Sequence, residues 1–161
     1  MALTQAGAKF YIAVDVSDDP VAQNSDLDQT GYEALTWLEV SQVGNVGETG
    51  TNTNIVSYDT LSTEVTQKGK GISNAGDPDI ECARVGDDPG QIAMRAAAAT
   101  TDSYAFKYEL DNMPSGGSNG TIYYNRGLVT GPRHPNGGNE DFDLEIYSLG
   151  LNQKELVVEA V

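Results

Sequence analysis

NEDFDLEIYSLG, residues 139–150, alternates acidic and apolar side chains. At the two-residue period of a strand, Asp141, Asp143 and Glu145 fall on one side and Phe142, Leu144 and Ile146 on the other. The stretch therefore reads as a half-buried strand from 141 onward, with a row of carboxylates on its polar face. Carboxylates so spaced can bind a metal, perform acid–base chemistry, keep an edge soluble, or line a surface that must not retain something negative.

Outward from this stretch the same period recurs. TIYYNRGLVTGPR (121–133) precedes it across a Gly- and Asn-rich connection, and KELVVEAV (154–161) follows as a terminal strand. In SYAFKYEL (103–110), Tyr104, Phe106, Tyr108 and Leu110 oppose Ala105, Lys107 and Glu109. PDIECARVG (78–86) and AKFYIAVDV (8–16) read as further strands, and LTWLEVSQVG (35–44) as one strand apolar on both faces and so covered on both. DDPGQIAMRAAAATTD (87–102) breaks the pattern. Asp88 is placed to cap a helix over about 88–101, Pro89 takes its first position, and Gln91 stands three residues past the cap. Seven to nine strands and one flanking helix predict a mostly β (α+β) fold, a two-sheet sandwich or open barrel, in one domain spanning 1–161.

Two segments resist this reading. Residues 17–33 are polar and rich in Asp and Asn, a loop. Residues 45–77 are rich in Gly, Thr, Asn and Ser, with only NIVSY (54–58) and STEVTQ (62–67) strand-like, as in a hairpin. An excursion of that length with so little to bury is commonly functional or disordered.

Composition excludes several functions. With 24 Asp and Glu against 9 Lys and Arg, the net charge of −15 argues against gripping a phosphate backbone, which needs cations to displace counterions. The single cysteine, Cys82, allows no internal disulfide and no cysteine-based zinc site, and reads as a small core residue. No charged and then apolar leader opens the sequence and no apolar run approaches a membrane span, so a soluble chain without the usual export signal is expected.

No motif marks a catalytic residue, a metal site or a cofactor, and none is expected. DLDQTGYEALTW (26–37) has Asp26, Asp28 and Gly31 at calcium-loop places but Trp37 where the bidentate Glu belongs. His134, the one histidine, lies in a Pro- and Gly-rich loop, where a histidine is more often a solvated turn residue than a general base. GNVGETG and SGGSNG lack phosphate-loop spacing, and Asn119-Gly120-Thr121 is a sequon without a secretory context. What remains is charge on strand faces: Glu39, Glu81, Glu109, Asp141, Asp143 and Glu145, with Lys107 and Arg84 among them. An antiparallel sheet with one wet face explains such alternation, yet opposed like charges destabilise, so a face this acidic needs bases or a purpose.

The order of features resembles the major tail tube proteins of long, non-contractile-tailed phages (siphophages) and of gene transfer agents. It is carried by the Ala-Lys-Phe-Tyr-Ile-Ala start and by Leu35-Thr36-Trp37-Leu38-Glu39-Val40 ending in Val43-Gly44. It continues through the Thr/Asn/Gly excursion, Asp87-Asp88-Pro89-Gly90-Gln91, Tyr104-Ala105-Phe106, Gly127-Leu128-Val129 and the late acid-led strand. The resemblance implies rings of about six subunits stacked into a hollow tube, with one continuous inner β-barrel built from strands of every subunit. It implies a ring-stacking loop at 45–77, with Asn54, Ile55, Val56, Tyr58, Leu61 and Val65 as contacts, and an outward helix at 88–101. Glu39, Glu81, Lys107, Glu109, Asp141, Asp143 and Glu145 become candidates for the lumen, where carboxylates would deny passing DNA a bound state at grazing range. Implied partners are ring neighbours, stacked rings, a tape-measure protein, tail terminator and distal tail proteins, and DNA in transit, in a virion tail assembled in a bacterial cytoplasm. Two other readings stay open: a secretion-system tube delivering protein effectors, and a monomeric carbohydrate-binding sandwich.

Overall fold

The computed structural model describes residues 2–161. Its elements run β1 (Lys9–Val14), α1 (Gln29–Glu33), β2 (Thr36–Val40), β3 (Val43–Val46), β4 (Asn52–Tyr58), β5 (Gln67–Asn74), β6 (Asp79–Ala83), α2 (Pro89–Ala98), β7 (Tyr104–Glu109), β8 (Ile122–Arg133), β9 (Leu144–Leu151) and β10 (Leu156–Val158). Eight strands form one antiparallel sheet in the order β2-β1-β7-β8-β9-β6-β3, with β10 also on β8, and β4-β5 form a second sheet of their own. The mostly β, two-sheet expectation holds, but the layers of the body come from one sheet bent over itself, and the second sheet is only a hairpin.

The bend follows from a two-residue link. β2 and β3 are the two ends of the sheet order, yet only Ser41 and Gln42 separate them in sequence. Three Cα–Cα steps span at most about 11 Å, so the edges must curl together at Val40 and Val43. Gln42 takes the left-handed φ of 60° at this corner, which is why the strand expected over 35–44 is two strands. No hydrogen-bonded ladder joins β2 to β3, so the barrel stays open among the described residues.

Inside the curl, alternate residues of every long strand meet. Phe10, Ile12, Val14, Val40, Ile80, Cys82, Phe106, Val129, Tyr147 and Leu149 pack with Ala93, Met94 and Ala97 of α2. Asp88 caps that helix, accepting from the Gln91 amide N–H at 2.9 Å. Gln91 does not reach back to the cap, as a capping box would. Its buried side-chain amide donates to the Ser41 and Ala83 carbonyls and accepts from the Val85 N–H, at 2.8 to 2.9 Å, tying the corner of the sheet to the end of β6. The small-residue face lets the helix approach β2 so closely that a Cβ on Gly90 would overlap the Glu39 carbonyl oxygen. Gly90→Ala must push the helix off β2, and a loss of about 1–3 kcal/mol in a denaturant titration is expected.

A second apolar cluster lies on the other face of the sheet. Ala13, Ala105, Ile122 and Tyr124 are covered by Tyr32 of α1, Leu27, Leu35, Trp37, Leu156 and Val158. Tyr32 stacks on Tyr124 at 4.8 Å between ring centroids. α1 corrects the reading of 17–33 as all loop. Asp28 caps it through the Gly31 N–H at 2.7 Å, and Asp26 is engaged by Arg126 at 2.8 Å, which leaves neither carboxylate poised for calcium. Arg126 also donates to Gln153 and to the Gln23 carbonyl, pinning this loop to the β9–β10 turn.

The opening stretch needs the largest correction. β9 begins at Leu144, not at 141, and Asp141, Phe142 and Asp143 lie in the exposed connection before it. Within β9 the buried residues are Glu145, Tyr147, Leu149 and Leu151, so Glu145 points into the core while Leu144 and Ile146 face outward. Apolar residues occupy both parities of this strand, and the larger set, Tyr147, Leu149 and Leu151, decided which face is buried.

Candidate functional site

Three of the seven lumen candidates are brought together. On the face opposite the main core, register places Tyr11 against Glu39 on one side and Lys107 on the other, with Lys9 opposite Glu109. Lys107 Nζ lies 3.6 Å from Glu109 and 4.6 Å from the centroid of the Tyr11 ring. Charge on this patch is therefore mixed. Burial, then Glu109 and Glu39, push the Tyr11 hydroxyl upward from its ordinary pKa, so the ring stays neutral. Glu81 occupies the same face of the sheet but on β6, beside Ile146 and Asn45.

Glu145 belongs to a different construction. It is 1% exposed and accepts hydrogen bonds from Tyr147 Oη (2.6 Å), Arg84 Nε (3.1 Å) and Arg95 Nε (3.2 Å to each oxygen). Burial alone would raise its pKa; the Tyr147 and Arg95 hydrogen bonds, the Arg95 charge and Arg84 outweigh it and hold the carboxyl below the usual range. Arg95 continues to the Val85 carbonyl and Gln91, so one buried carboxylate fastens α2 to β9. The neighbouring Cys82 thiol is pushed up to about 11, by burial and then by Glu145, and stays a protonated packing residue. The sequence offered one signal for this network that alternation missed: Arg95 is the one charged residue of α2.

Within 45–77, after Asn45 and Val46 complete β3, residues 52–74 form a hairpin arm, β4 and β5. β4 contains the expected NIVSY, but its partner is QKGKGISN, residues 67–74, and STEVTQ is mostly the turn. The arm uses its glycines: Val56 lies over Gly69 and Gly71, and the register shift between Thr53 and Ile55 puts an extra residue in β5. Of the stacking candidates, Ile55, Val56, Tyr58, Leu61 and Val65 are 54% to 110% exposed, and Ile72, which sequence reading missed, is 79% exposed. Asn54 is exposed too. At the arm's root a cleft of about 880 Å³ separates it from the β9–β10 turn, with Lys70, Ile72, Asn74, Asn152 and Lys154 in its lining.

No group of three metal-ligating side chains occurs among the described residues, and no helix is long and apolar enough to cross a membrane. The exposed arm and open sheet edges are the features that call for a partner. β2 and β3 each pair on one side only, and such edges are templates for pairing with another chain.

No protein-family model matches the sequence, and no curated protein matches it. Solved structures do share its fold. A chain in the cryo-EM structure of the PVC sheath/tube terminator, from an extracellular contractile injection system in the extended state, superposes with a TM-score of 0.69 at 7% identity, covering 98% of this chain and 97% of that one. A chain of the tube-terminating cap of the anti-feeding prophage gives 0.63 at 11% identity, with 99% and 94% covered. A chain of the PVC sheath-tube complex gives 0.62 at 9% identity, with 94% and 89% covered. The chain has a tail-tube-like fold over nearly its whole length.

Proposed function

We propose that this protein is a structural subunit of the hollow tube of a tail-like injection apparatus, assembled from stacked rings of its own copies and carrying out no chemistry. The observation that carries the reading is the arm: a two-stranded hairpin with six large apolar side chains in water has no core of its own, and such a hairpin is marginal in isolation. A neighbouring subunit supplies the missing cover. The open edges of β2 and β3 would pair around a ring of about six, converting six bent sheets into a continuous wall. Ring neighbours, stacked rings, a terminator at the tube's end, distal components and a tape-measure protein in the bore are the partners this role requires.

Two passengers fit such a tube and are comparably supported: one is protein effectors, as in a secretion-system tube, a reading consistent with the contractile injection systems among the fold neighbours. The second reading is the tail tube of a long-tailed phage or gene transfer agent, with DNA as the passenger. Glu39, Glu81 and Glu109 on the open sheet face favour it, although Lys107 sits among them and Glu145 is withdrawn into the core. Asp141 and Asp143 lie in a loop rather than on a wall strand, so with Glu145 buried a lumen kept slippery by a continuous acid row loses three of its six acids.

Sedimentation velocity over a rising concentration series tests the role. A discrete ring-sized species giving way to very large polymers is expected. A monomer at every concentration up to the solubility limit would rule it out.

A further inference from the structure

The two ends of β9 carry opposite charge, and both are unsatisfied. Of the nine Lys and Arg residues, five (Arg84, Arg95, Lys107, Arg126 and Arg133) hold ion pairs within the chain. Among the described residues the four without one are Lys9, Lys68, Lys70 and Lys154, and three of these sit on the arm or in the cleft at its root. Lys70 and Lys154 both line that cleft, and no carboxylate does, in a chain of net charge −15. Leu151, the last residue of β9, is part of the same lining.

At the first residue of β9, Leu144, the chain emerges from the connection that holds Glu140, Asp141, Phe142 and Asp143. Asp143 is tethered to the body, its carbonyl accepting from the Arg84 N–H at 2.8 Å. Glu140 and Asp141 are exposed and make no ion pair; Asp141 accepts only from the Gly138 N–H, which shapes the turn. Phe142 stands 81% exposed between the acids. Seven residue steps of strand, about 23 Å, separate this acidic tip from the basic cleft, so a subunit cannot fill its own cleft with its own loop.

Resting on the tube reading above, we propose that the acidic tip, Glu140-Asp141-Phe142, of one copy seats in the cleft between arm and body of a second copy, where Lys70 and Lys154 receive the carboxylates and Lys68 flanks them. Phe142 enters beside Ile72, which is exposed in the same lining. The cleft's volume lies within the range of clefts that take such ligands. The contact is heterologous: it joins opposite poles of identical subunits, and repeated, it stacks them without closing on itself. It gives the acids at 140–141 a purpose in assembly, and it sets the direction in which rings add.

The test is a charge exchange between two full-length variants. One carries Lys68→Glu, Lys70→Glu and Lys154→Glu; the other carries Glu140→Lys and Asp141→Lys. All five positions are exposed or at the cleft rim, and each variant should form rings but need at least tenfold more protein than the wild type to form tubes. Mixed in equal amounts, the acidic cleft of the first meets the basic tip of the second, the basic cleft of the second meets the acidic tip of the first, and tube formation near the wild-type concentration is expected. Tubes from either variant alone at the wild-type concentration overturn the pairing, as does a mixture that stays as rings. If the wild type itself forms no tubes, the tube reading fails along with it; if the wild type does and the exchange has no effect, only the tip-in-cleft contact falls.

Discussion

Glu145→Ala is expected to destabilise the folded subunit by about 3–5 kcal/mol, enough to leave much of a marginal domain unfolded. The cost comes less from the lost ion pairs than from what they leave behind: Arg84 and Arg95 converge on one buried carboxylate with Tyr147, and its removal strands Arg95 beneath α2 without a counter-charge. Urea titration against the wild type reads the loss directly. A companion experiment separates charge from packing. The carboxyl's pKa is depressed in the folded state, so its stabilising contribution is complete above the unfolded carboxyl's pKa, near about 4.3, and disappears as pH falls through the lower folded value. Wild-type stability should therefore fall below about pH 4 more steeply than that of Glu145→Gln. Parallel pH profiles would remove Glu145 from its role as the fastener between helix and sheet.

Replacing residues 52–74 by a two-residue turn is expected to abolish polymerisation while leaving the subunit folded. The arm forms its own sheet, contributes nothing to either apolar cluster of the body, and leaves its root with Gly76 close to the Gly50 carbonyl, so a short turn can bridge the cut. Ordering so exposed a segment costs roughly 1–2 kcal/mol per residue of backbone, and only a neighbour's surface can offset it. A shortened chain with an unchanged melting curve and no species larger than a ring is the expected outcome. Normal tubes from it would show that stacking is carried elsewhere.

The strands were legible in the sequence because alternation is a local signal, and seven of the eight body strands fall within stretches that alternate. The helix was legible because Asp88 and Pro89 write its start chemically. Three things were not. The break at Ser41–Gln42 depends on a closure that brings β2 and β3 to opposite edges of one sheet, a long-range fact that no window of ten residues contains. The orientation of Glu145 depended on which of two apolar parities wins: Tyr147, Leu149 and Leu151 outweigh Leu144 and Ile146, and the counter-charge that lets the carboxylate follow them inward, Arg95, lies fifty residues away. The partner of β4 was misplaced at STEVTQ because QKGKGISN shows no apolar alternation, and the missing side chains of Gly69 and Gly71 make room for Val56 instead. At the candidate site, the exposed apolar residues of 55–65 came from the tail-tube resemblance, beside a composition that leaves the segment little to bury. The lysines at 68, 70 and 154 were passed over, because their isolation from any carboxylate appears only once every other cation has been paired.

Cryo-electron microscopy of the concentrated protein, with the arm-shortened chain beside it, shows whether the arm joins rings into a tube. Hollow tubes of stacked rings are expected from the full chain, each arm lying against the ring next to its own, and single rings from the shortened one. Dispersed monomers from the full chain, or tubes in which the arms project free into solvent, would contradict that role for the arm.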